Sequence, residues 1–311
     1  MANSSRTTGH TGAGAAVVDR ASGRTSGRAS GFAPNGVQIT SATRTDVGLK
    51  RAVNEDSVLA KWPVFLVADG MGGHDAGDRA SAAVIAEFRA LVGRELQVAD
   101  VADALDRAHS AVQAIAATAA RGAGSTLTGV VQIEHEGQPH WLVLNIGDSR
   151  VYRLLGSEFE QLTTDHSLVQ EMLDSGTLAP ENVHTFGYRN VITRAIGSGG
   201  SSDNPADFWL HPVVNGERLL VCSDGLSNEL GGNGIGVGLG LGYRAKQTAN
   251  LLLRRALENG GRDNVSLIVV DVLGGGAEPV LETYGSLDII GEPASVLGAA
   301  SNSFASEANC A

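Results

Sequence analysis

Four aspartates stand at the ends of apolar runs, and their placement is the first indication of chemistry in the chain. Asp69 and Asp224 each close an apolar run and precede a glycine, Asp148 follows a third run, and Asp263 stands just before a fourth. An acid at the end of a buried strand lies near the rim of the core, where an uncompensated carboxylate is costly and neighbouring carboxylates repel one another. Hard cations such as Mg²⁺ and Mn²⁺ relieve both costs, because they prefer carboxylate, carbonyl and water oxygens as ligands.

Each of these positions also has a plainer interpretation. A single Asp-Gly pair usually marks a turn, and two such pairs still leave turns a fair chance. The full set of four, beside the polar segment 54–57 (Asn-Glu-Asp-Ser), favours a metal site. Gly70, directly after Asp69, would allow a backbone carbonyl to approach the same ion.

The elements that must position these acids follow from the spacing of apolar residues. Alternating or continuous apolar runs predict strands, and longer segments with helical spacing predict helices. The predicted strands are 37–43, 64–68, 125–133, 141–146, 150–155, 219–223 and 265–272, and the predicted helices are 76–96, 98–121, 165–176 and 243–258. Long β-runs with two pairs of intervening helices indicate two sheets packed together, with the helices outside.

Composition limits the class of protein. The chain has 311 residues, of which 42% are hydrophobic, so it can bury a sizeable core. Its net charge of -11 opposes binding to nucleic acid or to an anionic membrane surface. The two cysteines form no metal or disulfide motif, and the sequence has neither a signal peptide nor an apolar run long enough for a membrane span. These features predict a cytoplasmic protein.

The two ends differ in composition from the middle of the chain. Residues 1–35 are rich in Ser, Gly and Arg and poor in large apolar residues, which predicts a disordered tail. Residues 36–273 carry the predicted elements as one domain. A glycine triplet opens residues 274–311, which we expect to be a second flexible tail.

Seven short motifs resemble, in order, those of the metal-dependent protein phosphatases of type 2C (the PPM family), particularly its bacterial members. Each motif alone is weak, but seven in order are highly specific, and together they span about residues 37–273. The motifs are the segments 45–57, 67–74, 124–126, 147–152, 164–167, 223–226 and 261–265.

The resemblance implies an α+β fold. It is a four-layer αββα sandwich, in which two central, mostly antiparallel sheets are flanked by helix pairs and the metals lie in a cleft at the sheet ends. It also implies a flap beside the cleft, formed by about residues 165–204. Glycines at 176, 187 and 197 favour an irregular segment there.

The resemblance further implies two Mn²⁺ or Mg²⁺ ions, with a third, weaker ion in bacterial members. Asp69 would bridge two ions, and Gly70 would contribute its carbonyl to one of them. Asp224 and Asp263 would bind the other ion. Asp148, with Asp224, would hold the third.

Glu55 and Asp56 would lie beside the ions or hold metal-bound waters, and the sequence leaves open which of the two is closer. A hydroxide bridging the ions would attack phosphorus in line. Arg51 is the candidate for binding the phosphate, since its guanidinium matches two oxygens; the alternative is a surface salt bridge. His74 is a candidate general acid, and the alternatives are an exposed loop histidine and proton donation by a metal-bound water.

We therefore expect a monomeric serine/threonine protein phosphatase acting on phosphorylated proteins, among them a Ser/Thr kinase and its substrates. One alternative is a binding protein of the same fold that has lost turnover, although no metal ligand is missing. Another is a phosphatase for small phosphate esters.

Three features are set aside at this stage. The glycine-rich segment 231–242 is interpreted as a loop, and it does not follow a strand as a nucleotide-binding motif would. Cys222 lies within an apolar run, which favours a packing role over catalysis. His166 is left as either a structural or a substrate-side group.

Overall fold

Two antiparallel sheets form the centre of the molecule. The computed structural model describes residues 17–19, 24–32, 36–72, 76–188, 190–198 and 205–279. The strands are β1 (Val17–Asp19), β2 (Arg24–Phe32), β3 (Gln38–Asp46), β4 (Asp56–Lys61), β5 (Val64–Gly72), β6 (Ala123–Ser125), β7 (Leu127–His135), β8 (Gln138–Ile146), β9 (Arg150–Leu155), β10 (Glu158–Gln161), β11 (Asp207–Pro212), β12 (Arg218–Cys222) and β13 (Val265–Gly274). One sheet has the order β1-β2-β3-β13-β12-β9-β10, the other has β11-β8-β7-β5-β4, and β6 pairs with the end of β5.

Helices cover the outer face of each sheet. They are α1 (Ala76–Phe88) and α2 (Val98–Ala116) on one sheet and α4 (Asp224–Gly240) and α5 (Ala245–Glu258) on the other. A further helix, α3 (Leu168–Asp174), has no buried residue, and short 3-10 helices cover Arg89–Leu91 and Pro180–Thr185. One apolar core lies between α1, α2 and the β5-containing sheet, a second lies between the sheets, and a third lies between the β13-containing sheet and α4 and α5. The order of layers is helix, sheet, sheet, helix, which confirms the predicted αββα sandwich.

Strand β5 shows why the sequence forms two layers of core around one strand. Successive side chains of a strand point to opposite faces. Leu66 and Ala68 therefore pack in the helix-side core, whereas Phe65 and Val67 pack between the sheets. A strand buried on both faces is apolar throughout, and the first residue of β5 that breaks this run is Asp69.

Most predicted helices and strands are confirmed, but the residues at which they begin and end differ from the prediction. Strands β4, β10 and β11 were not predicted, because their exposed and intermediate positions break the apolar pattern. The helix predicted over 98–121 ends at Ala116. No helix in the described part of the chain is both long and apolar enough to cross a membrane.

The structure differs from the expected N-terminal tail. Residues 24–32 form β2, which pairs with β3 from Thr25 opposite Thr45 to Phe32 opposite Gln38. Strand pairing uses main-chain groups, so a segment poor in apolar side chains can still add to a sheet edge. The predicted tail segments 1–16, 20–23 and 33–35 lie outside the described residues.

At the other end, the chain stays on the sheet a few residues beyond β13. Ala277 forms a bridge with Val214, with hydrogen bonds from its N–H to the Val213 carbonyl at 2.7 Å and from the Asn215 N–H to its own carbonyl at 2.8 Å. Residues 280–311 of the predicted C-terminal tail lie outside the described part of the chain. The division of the chain at residues 36 and 273 stays a prediction.

The glycine-rich segment 231–242 was interpreted as a loop, and this was wrong. Residues up to Gly240 belong to α4, which has a kink at Gly231. Ile235 and Leu239 lie one turn apart and are buried against the sheet and α5. A Cβ on Gly238 would lie 2.6 Å from the Leu252 side chain. Tertiary packing thus overrides the low helix propensity of glycine.

Two glycines of α4 provide opposite tests of this interpretation. Gly231 has φ +63°, so Gly231→Ala should lower the free energy of unfolding by about 1–3 kcal/mol. Gly240 is helical, and nothing lies within 4 Å of the place its Cβ would take. Gly240→Ala should therefore raise the free energy of unfolding by about 0.5 kcal/mol. Equilibrium denaturation of both variants measures the two signs, and a stabilising Gly231→Ala would contradict the kink.

Candidate metal centre

The acidic residues of the sequence motifs meet where the two sheets end. Asp56 and Asp69 are directly opposed on β4 and β5, so their side chains share one face. Asp224 follows the end of β12, and Asp263 precedes β13, which pairs with β12 through Cys222 and Leu267. Strand pairing therefore brings together two carboxylates in each sheet, and the packing of the two sheets brings the pairs to one edge.

Asp69 is held by its own backbone. Its N–H donates to Thr126 Oγ1 at 2.9 Å, and its carbonyl accepts from the Thr126 N–H at 2.8 Å. Burial raises the pKa of Asp69 well above its ordinary value, and the nearby Asp56 and Asp224 raise it further. The carboxylate is thus fixed in a place where its negative charge is disfavoured.

Asp56 lies deeper than Asp69. Ser223 Oγ donates to one carboxylate oxygen of Asp56 at 2.9 Å and accepts from the Ser266 N–H at 3.0 Å. The other oxygen of Asp56 is buried and has no hydrogen-bond partner among the described residues. Burial raises the pKa of Asp56 to about 7 despite these hydrogen bonds.

Glu55 faces the cleft rather than the core. Its carbonyl accepts from the Gly70 N–H at 3.1 Å, and its side chain is 21% exposed. A Cβ on Gly77, in the first turn of α1, would lie 2.4 Å from Glu55 Oε1. A Cβ on Gly70 would lie 2.0 Å from the Gly77 carbonyl oxygen, so this close approach requires both glycines.

Asp224 is the first residue of α4, and Asp148 lines a small cavity together with it. Asn228 Nδ2 donates to one Asp224 oxygen at 3.0 Å, and the other is buried without a hydrogen-bond partner among the described residues. Burial raises the pKa of Asp224 to about 6, and Asp263 adds to the rise. Burial and the charge of Asp224 raise the pKa of Asp148 to about 8.

Arg51 lies over the carboxylates at the mouth of the site. Its guanidinium donates to Asp263 Oδ2 at 2.7 Å and lies 4.0 Å from Glu55 Oε2. The hydrogen bond with Asp263 raises the pKa of Arg51. The arginine side chain is 49% exposed, so the group is paired yet open to the cleft.

Asn264 is a positioning residue that the sequence analysis did not single out. Its side-chain amide donates to the carbonyls of Val47 and Val53, both at 3.0 Å, and accepts from the Glu55 N–H at 2.8 Å. The buried amide thereby joins both ends of the loop that carries Arg51. A polar residue directly before an apolar strand was the available signal.

The polar partners of the acids were also missed. They lie in or beside strands that are otherwise apolar, where a hydroxyl is unusual unless it has a partner. These buried residues are Thr126, Ser223 and Ser266.

The two histidines discussed from the sequence have different outcomes. His166 is buried, accepts from the Gly147 N–H through Nδ1 at 3.2 Å, and contacts Asp207 Oδ2 through Nε2 at 3.0 Å. These bonds support its structural role, because they fix the turn that precedes Asp148. His74 lies outside the described residues, and its role as a general acid stays a prediction.

A cavity of about 400 Å³ opens beside the carboxylates. One wall carries Asp224 and Asp263, and the other carries Pro180, Val183 and Asn190 from the predicted flap. The flap segment therefore borders the acidic cluster, as the resemblance implied.

The residues of this site fit divalent cations. Several buried carboxylates have raised pKa values, and Asp56 and Asp224 each keep one oxygen without a hydrogen-bond partner among the described residues. Across the described ranges, no three acidic, histidine or cysteine side chains are already arranged around one point as ligands would be. The fit therefore depends on the charge and the unsatisfied oxygens, which hard cations compensate.

Comparison with known proteins gives a consistent family. The family model described as protein phosphatase 2C matches residues 50–235. The serine/threonine protein phosphatase PstP of Mycobacterium tuberculosis is 37% identical over 248 residues, which cover 77% of this chain and 47% of PstP. The chain thus spans about half the length of that relative. The protein phosphatase PhpP of Streptococcus pneumoniae is 32% identical over 240 residues, covering 73% of this chain and 95% of PhpP.

A solved structure of the PstP catalytic domain in complex with two manganese ions has the same fold, with a TM-score of 0.68 and 35% identity. The structural match covers 76% of this chain and 99% of the PstP catalytic domain in that structure. Sequence motifs, layer order and acidic cluster thus agree with one family. This chain belongs to the protein phosphatase 2C family.

Proposed function

We propose that the chain is a metal-dependent protein serine/threonine phosphatase that hydrolyses phosphoserine and phosphothreonine in proteins. The observation that carries this proposal is the cluster of buried carboxylates with an exposed arginine at its mouth. We further propose that its targets include a Ser/Thr kinase and the substrates of that kinase, and that it acts as a cytoplasmic monomer. The names of the relatives support the phosphatase activity.

The acidic residues would hold the ions in the roles that the family resemblance gives them. Asp69 would lie between two ions, with the Gly70 carbonyl on one and Asp224 and Asp263 on the other. Asp148 would bind a third ion with Asp224. When bound, such ions neutralise phosphate charge and lower the pKa of a water molecule.

Glu55 and Asp56 take different parts in this proposal. The exposure of Glu55 to the cleft supports a place next to the ions. Asp56 accepts a hydrogen bond from Ser223 and would act through its charge, which raises the pKa of Asp69. This arrangement supports Glu55 as the residue closer to the ions, where the sequence left the choice open.

Arg51 would bind two oxygens of the phosphate and orient it for in-line attack. The loop around Arg51 is fixed by Asn264, so the guanidinium is presented over the acids at low conformational cost. His74 would donate a proton to the leaving alkoxide oxygen of the serine or threonine.

The first test is hydrolysis of a phosphothreonine peptide by the purified chain with Mn²⁺. EDTA should stop the release of phosphate, and Asp69→Asn should abolish turnover while the circular dichroism spectrum stays unchanged. Near-normal turnover by Asp69→Asn would contradict its central role. No release with any divalent ion, from a folded chain, would favour the binding-protein alternative.

Substitution of Arg51 tests its phosphate-binding role. Arg51→Ala should lower kcat/KM about tenfold to a hundredfold, mainly through KM, since a charge-assisted hydrogen bond contributes about 1.5–3 kcal/mol. Arg51→Lys should recover only part of this loss, because it lacks the planar fork. The matched control is Arg94→Ala, which also removes a surface ion pair, the 3.0 Å contact with Asp100. Equal KM values for Arg51→Ala and wild type would contradict the role.

The raised carboxylate pKa values predict how stability depends on pH. Asp56, Asp148 and Asp224 have pKa values of about 7, 8 and 6 in the folded chain, against an ordinary 3.8. Between these limits the folded chain binds more protons than the unfolded chain, so its stability falls as pH rises. In EDTA, the melting temperature should therefore fall from about pH 5.5 to about pH 8.

Excess Mn²⁺ should raise the melting temperature more at the higher pH, because protons compete with metal for the same oxygens. Asp148→Asn provides the control and should show a smaller fall in EDTA. A melting temperature in EDTA that rises over this range, or a fall unchanged by Asp148→Asn, would contradict the assignment.

A further inference from the structure

An apolar surface lies on the outer helix layer, along the part of α4 that follows its kink and along α5. A groove of about 300 Å³ runs between the second half of α4 and α5. Its apolar walls include Leu230 and Val237 from α4, Leu241 directly after α4, and Leu251 from α5. We call this surface the α4–α5 groove.

The groove leaves large apolar side chains in water. Val237 is 68% exposed, Leu241 is 50% exposed, and Tyr243, just beyond α4, is 46% exposed. Burying such side chains is favourable by about 25 cal/mol per Å² of apolar surface. Val237 and Leu241 line one groove, and exposed apolar side chains grouped in this way commonly mark a surface that contacts another segment or protein.

The helix that carries this patch has little intrinsic stability. Residues 231–240 include six glycines. Each glycine in a helix interior costs about 1 kcal/mol relative to alanine. Packing on the sheet and α5 offsets part of this cost on one face only, so a segment bound to the open face would stabilise α4 further.

The groove also carries an unmatched positive charge. Arg255 lines it, and the Arg255 side chain forms no ion pair or hydrogen bond with any residue in the described ranges. Its neighbour Arg254 differs, because it pairs with Glu258 at 3.7 Å. The surface thus favours an apolar segment that carries an acid.

The chain itself continues close to this surface. Ala277 is paired beside Asn215, near the start of β12. A turn at residues 215–216 follows, and Arg218, the first residue of β12, donates to the carbonyls of Leu239 at 2.9 Å and Tyr243 at 2.6 Å. The same strand start therefore holds both the exit of the chain and the end of α4.

The residues that follow have the matching chemistry. Residues 280–311 contain four acids and no lysine or arginine, and residues 281–290 read Leu-Glu-Thr-Tyr-Gly-Ser-Leu-Asp-Ile-Ile. We propose that residues 281–290 bind in the α4–α5 groove of their own chain. Leu287 and Ile290 cover Val237 and Leu241, and Asp288 pairs with Arg255. This proposal is independent of the phosphatase activity.

A photo-crosslinking amino acid at position 237 of the full chain tests the proposal. The expected product is an intramolecular crosslink to residues 281–290, identified by peptide mass spectrometry, with a yield independent of protein concentration. The matched control is the same probe at Lys61, an exposed position at the end of β4 in the other sheet. A crosslink between two copies, or none to residues 280–311, would overturn the proposal.

Charge reversal adds a second readout. Arg255→Glu should lower the crosslink yield about fivefold, in keeping with about 1 kcal/mol for an exposed ion pair, and Asp288→Lys in the same chain should restore it. Arg254→Glu is the control on the same helix and should leave the yield unchanged. An equal loss of yield in Arg255→Glu and Arg254→Glu would overturn the pairing of Asp288 with Arg255. So would a double variant, Arg255→Glu with Asp288→Lys, that shows no recovery of the yield.

Discussion

Mutual repulsion among buried carboxylates is the constraint on which this structure depends. Asp56, Asp69, Asp148 and Asp224 are all placed where water is largely excluded, and burial raises each pKa. A fold that only minimised its free energy would not gather these charges. The two sheets gather them because each acid follows or precedes a strand whose apolar side chains must be buried. The stability of the core thus holds together a site that would otherwise separate.

The local devices at the site all limit movement of these acids. Thr126 fixes the main chain of Asp69, and Ser223 holds Asp56 from behind. Gly70 and Gly77 bring two backbone segments closer than side chains would allow. None of these groups carries charge, so they position the acids without neutralising them. This leaves compensation of the charge to a ligand, which is the physical basis of the proposed metal dependence.

The sequence predicted those parts of the molecule that depend on periodicity and order. The run ending in Asp69 is apolar because β5 is buried on both faces, so both the strand and its terminal acid could be read directly. Strand β11 has no fully buried residue and could not be recognised in this way. The helix through 231–240 was missed because local propensity opposes it, and only its packing on the sheet and on α5 favours it. The hydrogen bonds of Asn264 reach residues more than 200 positions away, which no local pattern encodes.

The ion pair between Arg51 and Asp263 would couple two binding events in the proposed enzyme. A cation held by Asp263 would compete with the Arg51 guanidinium for the same carboxylate oxygen, so binding of the cation would free Arg51 for an incoming phosphate. Thermodynamic reciprocity then requires phosphate to strengthen cation binding by the same factor that the cation strengthens phosphate binding. Before cation and phosphate bind, Arg51 would partly neutralise the negative charge of the carboxylates. A change in the affinity for one ligand would then change the affinity for the other.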